Sequence, residues 1–263
     1  MAVTTVPTSF AADSCRSWQI FQLDRCDAQI LKKSTITIKT YEMAEHDDMQ
    51  DEPTFETKLE ELLDRGYGPV GANCEVSFGL NDGPLADLGK MLTKLNGFYA
   101  FNSGIHIFHV GDSERCTDLL TWNDEATWKQ PYLGLADDLF CFGQDIFGMQ
   151  FAVRNNANVV VWNPETCEDE ESFDSLEDWA AWLLEDPNVN GAAGFAKEYQ
   201  DAKGGLEMNQ RLVPLTLFML GGAYDQNNLV PRDAVEGMKI RGPLAVKLRD
   251  LPDGTKIELE VVP

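Results

Sequence analysis

Between Leu139 and Trp162 the chain reads LFCFGQDIFGMQFAVRNNANVVVW, and no other stretch limits the fold as tightly. Leu139 to Phe142 is a short apolar run that Gly143 is expected to end. Gly148 to Arg154 carries the strand formers Phe151 and Val153, and Val159 to Trp162 is a β-branched run closed by Asn163 and Pro164. Asn155, Asn156, Ala157 and Asn158 separate the last two, and Asn tolerates the left-handed backbone of a tight hairpin. The stretch therefore predicts a three-stranded antiparallel meander, enough strands to bury a shared apolar face. Gly143 and Gly148 bracket a corner that holds Asp145, and these three residues are read as a structural turn.

Strands and helices alternate around this centre without a solenoid repeat. Thr35 to Tyr41 alternates Thr and Ile with the period of a half-buried strand, and Glu75 to Phe78 is a further short one. Thr54 is the expected cap of a helix carrying Phe55, Leu59, Leu62 and Leu63 up to Gly66. A Leu-rich helix starts at Pro84 and stops at Asn96 and Gly97, and strand follows from Phe98 to Val110 with a break at Asn102 to Gly104. Ser113 is placed to cap a helix that turns Leu119, Leu120 and Trp122 inward. Ser175, with Asp178 three positions on, caps an amphipathic helix through Trp179, Leu183 and Leu184. A short helix is expected near Phe195 to Asp201, strand from Pro214 to Leu220, a short helix at Arg232 to Gly237, and a hairpin from Leu244 to Leu248 and Lys256 to Val262. This order predicts an α+β fold with an antiparallel or mixed central sheet and helices packed on it. Residues 1–52 read as an N-terminal extension with a strand and an acidic linker, and residues 53–263 as the folded domain.

Charge narrows the partners. The chain has 44 Asp and Glu against 21 Lys and Arg, a net charge of −23. Such a field repels nucleic acid and anionic membranes and attracts basic proteins. Two segments concentrate it, Glu42 to Glu52 and Pro164 to Asp178. Within the second, Glu165, Glu168, Asp169, Glu170, Glu171, Asp174 and Asp178 form the candidate partner-binding surface. The six cysteines show no CxxC pair and read as reduced thiols, the N-terminus has no basic and apolar leader, and no apolar run reaches membrane-spanning length; cytoplasmic residence is the expectation.

Catalytic signals are sparse. The chain has no GxSxG, GxxxxGK[ST], HExxH or GxGxxG after a strand, and no calcium-loop pattern, so no metal or cofactor is expected. His106 and His109 fall on opposite faces of a strand and do not form a joint metal site. Asp145 is of the type that serves as acid or base beside a second carboxylate, and an enzyme pocket joining it to His106 or His109 is one alternative. The simpler expectation is an Asp that accepts hydrogen bonds from nearby turn amides. Trp179 and Trp182 share a helix face and read as core.

The first helix, the Leu-rich helix ending in Asn96-Gly97, the strand pair LFCFGQDIFGMQFAV, the VVVW strand and the acidic helix SLEDWAAWLLED together resemble the SUKH superfamily of Smi/Knr-type domains. The resemblance spans roughly residues 56 to 185. The tail from FMLGG to IELEV is similar to tails of longer bacterial members. It implies an α+β domain without enzymatic activity that binds and neutralises a cognate protein toxin, often a nuclease with a basic surface. A regulatory or scaffold protein of the same fold is the other role the family suggests.

Overall fold

A computed structural model describes residues 37–40, 57–111, 116–252 and 255. The fold is α+β. Its centre is a six-stranded antiparallel sheet in which spatial and sequence order coincide: β3 Phe98–Ala100, β4 Ile105–Ile107, β5 Leu139–Asp145, β6 Gln150–Arg154, β7 Asn158–Trp162 and β8 Asp169–Phe173. A two-stranded sheet of β1 Thr37–Thr40 and β2 Cys74–Ser77 lies before it, and another of β9 Gln210–Pro214 and β10 Leu229–Asp233 after it. The helices are α1 Lys58–Asp64, α2 Pro84–Lys94, α3 Leu119–Asn123, α4 Leu176–Glu185, α5 Ala193–Lys203 and α6 Ala234–Leu248.

Both faces of the sheet are covered, which explains why β6 and β7 are buried almost throughout rather than on alternate residues. On one face Phe142 and Phe151 meet Trp179 of α4 at ring distances of 5.0 and 5.3 Å, and Phe140 meets Phe78 after β2 at 5.4 Å. On the other, strand register aligns Tyr99, His106, Gln144, Gln150 and Trp162 in one row across five strands. This row is buried under α3, the helical turns of residues 125–132, and α6. Trp122 Nε1 donates to Gln150 Oε1 at 2.9 Å, and Tyr99 stacks on His106 at 4.2 Å. Gln150 is satisfied there, its Nε2 also donating to the Gly148 carbonyl at 2.8 Å, whereas both His106 ring nitrogens and Trp162 Nε1 make no hydrogen bond.

Local chemistry accounts for most boundaries. Pro84 opens α2, where a missing amide costs nothing. Ser175 Oγ accepts from the Asp178 amide at 3.1 Å and donates to its carboxylate at 2.6 Å, closing the first turn of α4. The β3–β4 link turns through three successive left-handed residues, Phe101, Asn102 and Ser103. Asn155 and Asn156, both at positive φ, make the β6–β7 hairpin.

Several expectations are corrected. Gly143 does not end its strand and is not part of the turn: β5 runs on to Asp145, and Gly143 sits at a bulge where a Cβ would lie 2.8 Å from the His106 carbonyl and 2.7 Å from Ile107. Thr57, through its hydroxyl, caps α1, whereas Thr54 lies outside the described residues. Asp118 caps α3; Ser113 and all of Glu42 to Glu52 likewise fall outside the described residues. The acidic segment contains a strand, β8, which its charge concealed. Residues 244–248 are the end of α6 and not half of a hairpin, since Gly237 and Gly242 serve close packing against Val213 and Tyr132 instead of breaking the helix. Lys256 to Val262 lie outside the described residues. Strand β9 stops at Pro214, and Phe218–Leu220 is a 3-10 turn.

Gly148 ends the β5–β6 turn at φ +86°, and a Cβ there would lie 2.7 Å from Arg241 Nη1. Gly148→Val is expected to lower unfolding free energy by at least about 2 kcal/mol in urea titration. Gly205→Ala, with open space around it, should change it by less than about 0.5 kcal/mol.

Candidate functional site

At one end of the sheet, three distant segments meet around a cavity of about 180 Å³. The β5–β6 turn contributes Asp145 and Phe147, the loop after β7 contributes Glu165, and the tail contributes Phe218, Tyr224 and Arg241. Asp145 shapes the turn: its Oδ1 accepts from the amides of Phe147 at 2.9 Å and Met149 at 2.8 Å. Those bonds use one oxygen and leave Oδ2 outside them.

Arg241 crosses the back of the cavity, 2% exposed. Its Nη2 donates to the Phe147 carbonyl at 2.7 Å and the Leu212 carbonyl at 3.3 Å, and its Nε stands 3.7 Å from Glu165 Oε1. That last distance is too long for a hydrogen bond. Glu165 Oε2 accepts from the Met219 amide at 3.1 Å, while the buried Oε1 has no hydrogen-bond partner. Burial pushes the Asp145 carboxyl up to about 6, against the pull of the Met149 and Phe147 amides and of Arg241 and Arg211. It pushes Glu165 up as well. Aromatic rings complete the wall: Phe218 and Tyr224 stack at 3.7 Å, and Phe147 stands edge-on to both at 6.0 and 5.5 Å. Tyr224 is 61% exposed, so the cavity has an aromatic rim open to water.

The acidic surface lies elsewhere in part. Glu168, Asp169, Glu170 and Glu171 are exposed on or beside β8, the outer strand of the sheet, and Asp174 and Asp178 continue the surface to the start of α4. No strand among the described residues pairs with the outer side of β8. Asp169 is 2.8 Å from Arg154, which also pairs with Asp138, and Glu170 accepts from Asn163 Nδ2 at 2.7 Å. Among the described residues no cation pairs with Glu168, Glu171 or Asp174. Glu165 is corrected: at 3% exposure, bound to Met219 and facing Arg241, it belongs to the cavity and not to the acidic rim.

The histidines do not join Asp145. His106 lies fully buried against Tyr99 and Phe108 and borders a separate cavity of about 10 Å³ with Gln144 and Cys116. Desolvation holds its imidazole well below the ordinary range, so it is neutral at physiological pH. His109 Nδ1 is 3.7 Å from Cys116 Sγ. Phe147, Phe218, Tyr224 and Arg241 escaped the sequence reading because no local spacing links them. The one signal was aromatic residues flanking the glycines of FMLGGAY.

No model of a known protein family matches this chain, and no curated protein matches its sequence. Among solved structures, that of Atu4351 from Agrobacterium tumefaciens is similar over 60% of this chain and 74% of that one, with 14% identity and a TM-score of 0.38. No helix among the described residues is long and apolar enough to cross a membrane.

Because burial raises the Asp145 pKa, its protonated form stabilises the fold below the ordinary carboxylate range, and that contribution is lost as pH rises through about 6. Asp145→Asn retains an oxygen for both turn amides and removes the charge. The variant should be more stable than the parent by about 1 kcal/mol at pH 8, with the difference closing by pH 4, as measured by urea titration at the two pH values.

Proposed function

We propose that this chain is a non-catalytic binding protein of the SUKH type that neutralises a basic protein toxin, docking it along the acidic outer edge of the sheet. One observation carries this reading: four consecutive carboxylates, Glu168 to Glu171, stand exposed on and beside a strand whose outer side pairs with no strand among the described residues, in a chain of net charge −23. Charge of one sign on a rigid strand steers a basic partner and suits a surface that phosphate-binding enzymes present. The helices and strands that carry the family resemblance lie together around the same sheet, which supports the assignment. The cavity that holds Asp145 holds neither histidine, so a joint pocket of Asp145 with His106 or His109 draws no support from it.

Co-expression with the toxin encoded in the neighbouring gene tests the proposal. Cells should survive only when this chain is present, and a complex should form at low salt and weaken as salt rises. Equal killing with and without the chain would sink the reading.

A triple variant, Glu168→Lys, Glu170→Lys and Glu171→Lys, separates docking from folding. Its thermal unfolding midpoint should stay within a few degrees of the parent, while affinity for the toxin drops at least roughly tenfold by calorimetry, about 1.4 kcal/mol.

A further inference from the structure

We propose that the cavity between the β5–β6 turn and the tail receives an arginine side chain of the basic partner, its guanidinium held by Asp145 and Glu165 against the Phe147, Phe218 and Tyr224 rings. The inference rests on the docking reading above and assigns that partner an anchor away from the acidic strand.

Three features of the cavity point to this ligand. The first is an imbalance of charge in its lining, where two carboxylates face the single guanidinium of Arg241. Arg211 is not part of the lining; its guanidinium lies 5.8 Å from the Tyr99 ring and adds a weaker pull on Asp145 than burial opposes. A second positive group would therefore be met by a carboxylate without a full partner. The second is Glu165 Oε1, a buried acceptor that makes no hydrogen bond and has only Arg241 Nε at 3.7 Å, on a side chain only 3% exposed. A buried acceptor left unpaired is costly, and a charged donor brought to it recovers that cost. The third is the aromatic lining. A guanidinium is planar and weakly hydrated, stacks on rings, and offers a fork of donors to carboxylates, whereas an ammonium is compact and strongly hydrated.

Size agrees with the chemistry. A water takes roughly 30 Å³ of liquid volume, so about 180 Å³ holds a group of several heavy atoms and not a whole folded element. Arg241 itself is committed, with Nη2 on the Phe147 and Leu212 carbonyls, so it forms the floor rather than the occupant. Tyr224, exposed at the rim, gives an incoming chain an aromatic surface on which to enter.

The probe is N-acetyl-arginine amide, with N-acetyl-citrulline amide as its uncharged isostere, titrated into the whole protein at pH 8 and followed by NMR of the aromatic resonances. Saturable shifts at Tyr224 and Phe218 are expected with the arginine compound and none with citrulline. Asp145→Asn and Glu165→Gln, which retain the oxygens that bind the turn and Met219 amides, should each weaken binding at least fivefold, as should Tyr224→Ala. Lowering the pH to 5 should abolish it, because Asp145, flanked by Glu165, Arg241, Arg211 and Tyr224, is then protonated. Equal shifts with citrulline, full affinity in Asp145→Asn, or no saturable shift at these rings would overturn the proposal.

The toxin distinguishes this inference from the one on which it rests. If the toxin is neutralised and held equally by the parent and Tyr224→Ala, the anchor is wrong and the docking reading survives. If the arginine compound binds as expected while no toxin is neutralised, the docking reading fails and the cavity keeps its ligand.

Discussion

A buried guanidinium holds this fold together. Arg241, on a helix near the end of the chain, reaches the turn at the tip of the central hairpin, the first strand of the tail sheet and the loop after β7. A charge out of water must be met by several fixed acceptors, or the group drives the structure apart. Here the acceptors come from segments that no local rule brings together, so they are ordered as a set. Backbone bonds reinforce the junction: Leu212 donates to Ile146 and Ile146 to Gly104, so the tail strand, the hairpin tip and the β3–β4 link form one hydrogen-bonded seam. Gly148 is glycine for the same reason, since the guanidinium occupies the space a side chain would need.

That junction also creates the cavity. Asp145 and Glu165 are each half-engaged: one oxygen of each accepts from backbone amides, and the other Glu165 oxygen faces Arg241 Nε at 3.7 Å. Raised carboxyl pKa values there follow from desolvation that the nearby cations do not fully offset. The acidic strand and the cavity are thus two electrostatic surfaces of different kinds: one solvated, screened by salt and suited to steering, the other enclosed and suited to holding.

How much of this was legible depended on whether the signal was local. The meander, the Pro84 start of α2 and the Ser175 cap of α4 are each set by residues within one turn of the feature, and they stand where the sequence placed them. Strand β8 was hidden because an outer strand exposed on both faces needs no apolar alternation; only Phe173, packed on Trp182 at 5.5 Å, carries the core pattern. Helix α6 was hidden by Gly237, Gly242 and Pro243, residues that usually end helices, although the two glycines here admit Val213 and Tyr132 at short range. Gly143 looked like a stop and is a bulge. Of the candidate surface, the exposed carboxylates were legible from composition, while the burial of Glu165 depended on Arg241, 76 residues on in a sequence where nothing marks the pair.

The carboxylates of β8 have a consequence for the protein in concentrated solution. An outer strand with open amides and carbonyls is a template on which a second copy can extend the sheet, and like charges across that seam oppose it. Neutralising Glu168, Glu170 and Glu171 would lift this repulsion while leaving the apolar core of the sheet intact. Like charge along this edge therefore also opposes the stacking of identical chains into a continuous ribbon.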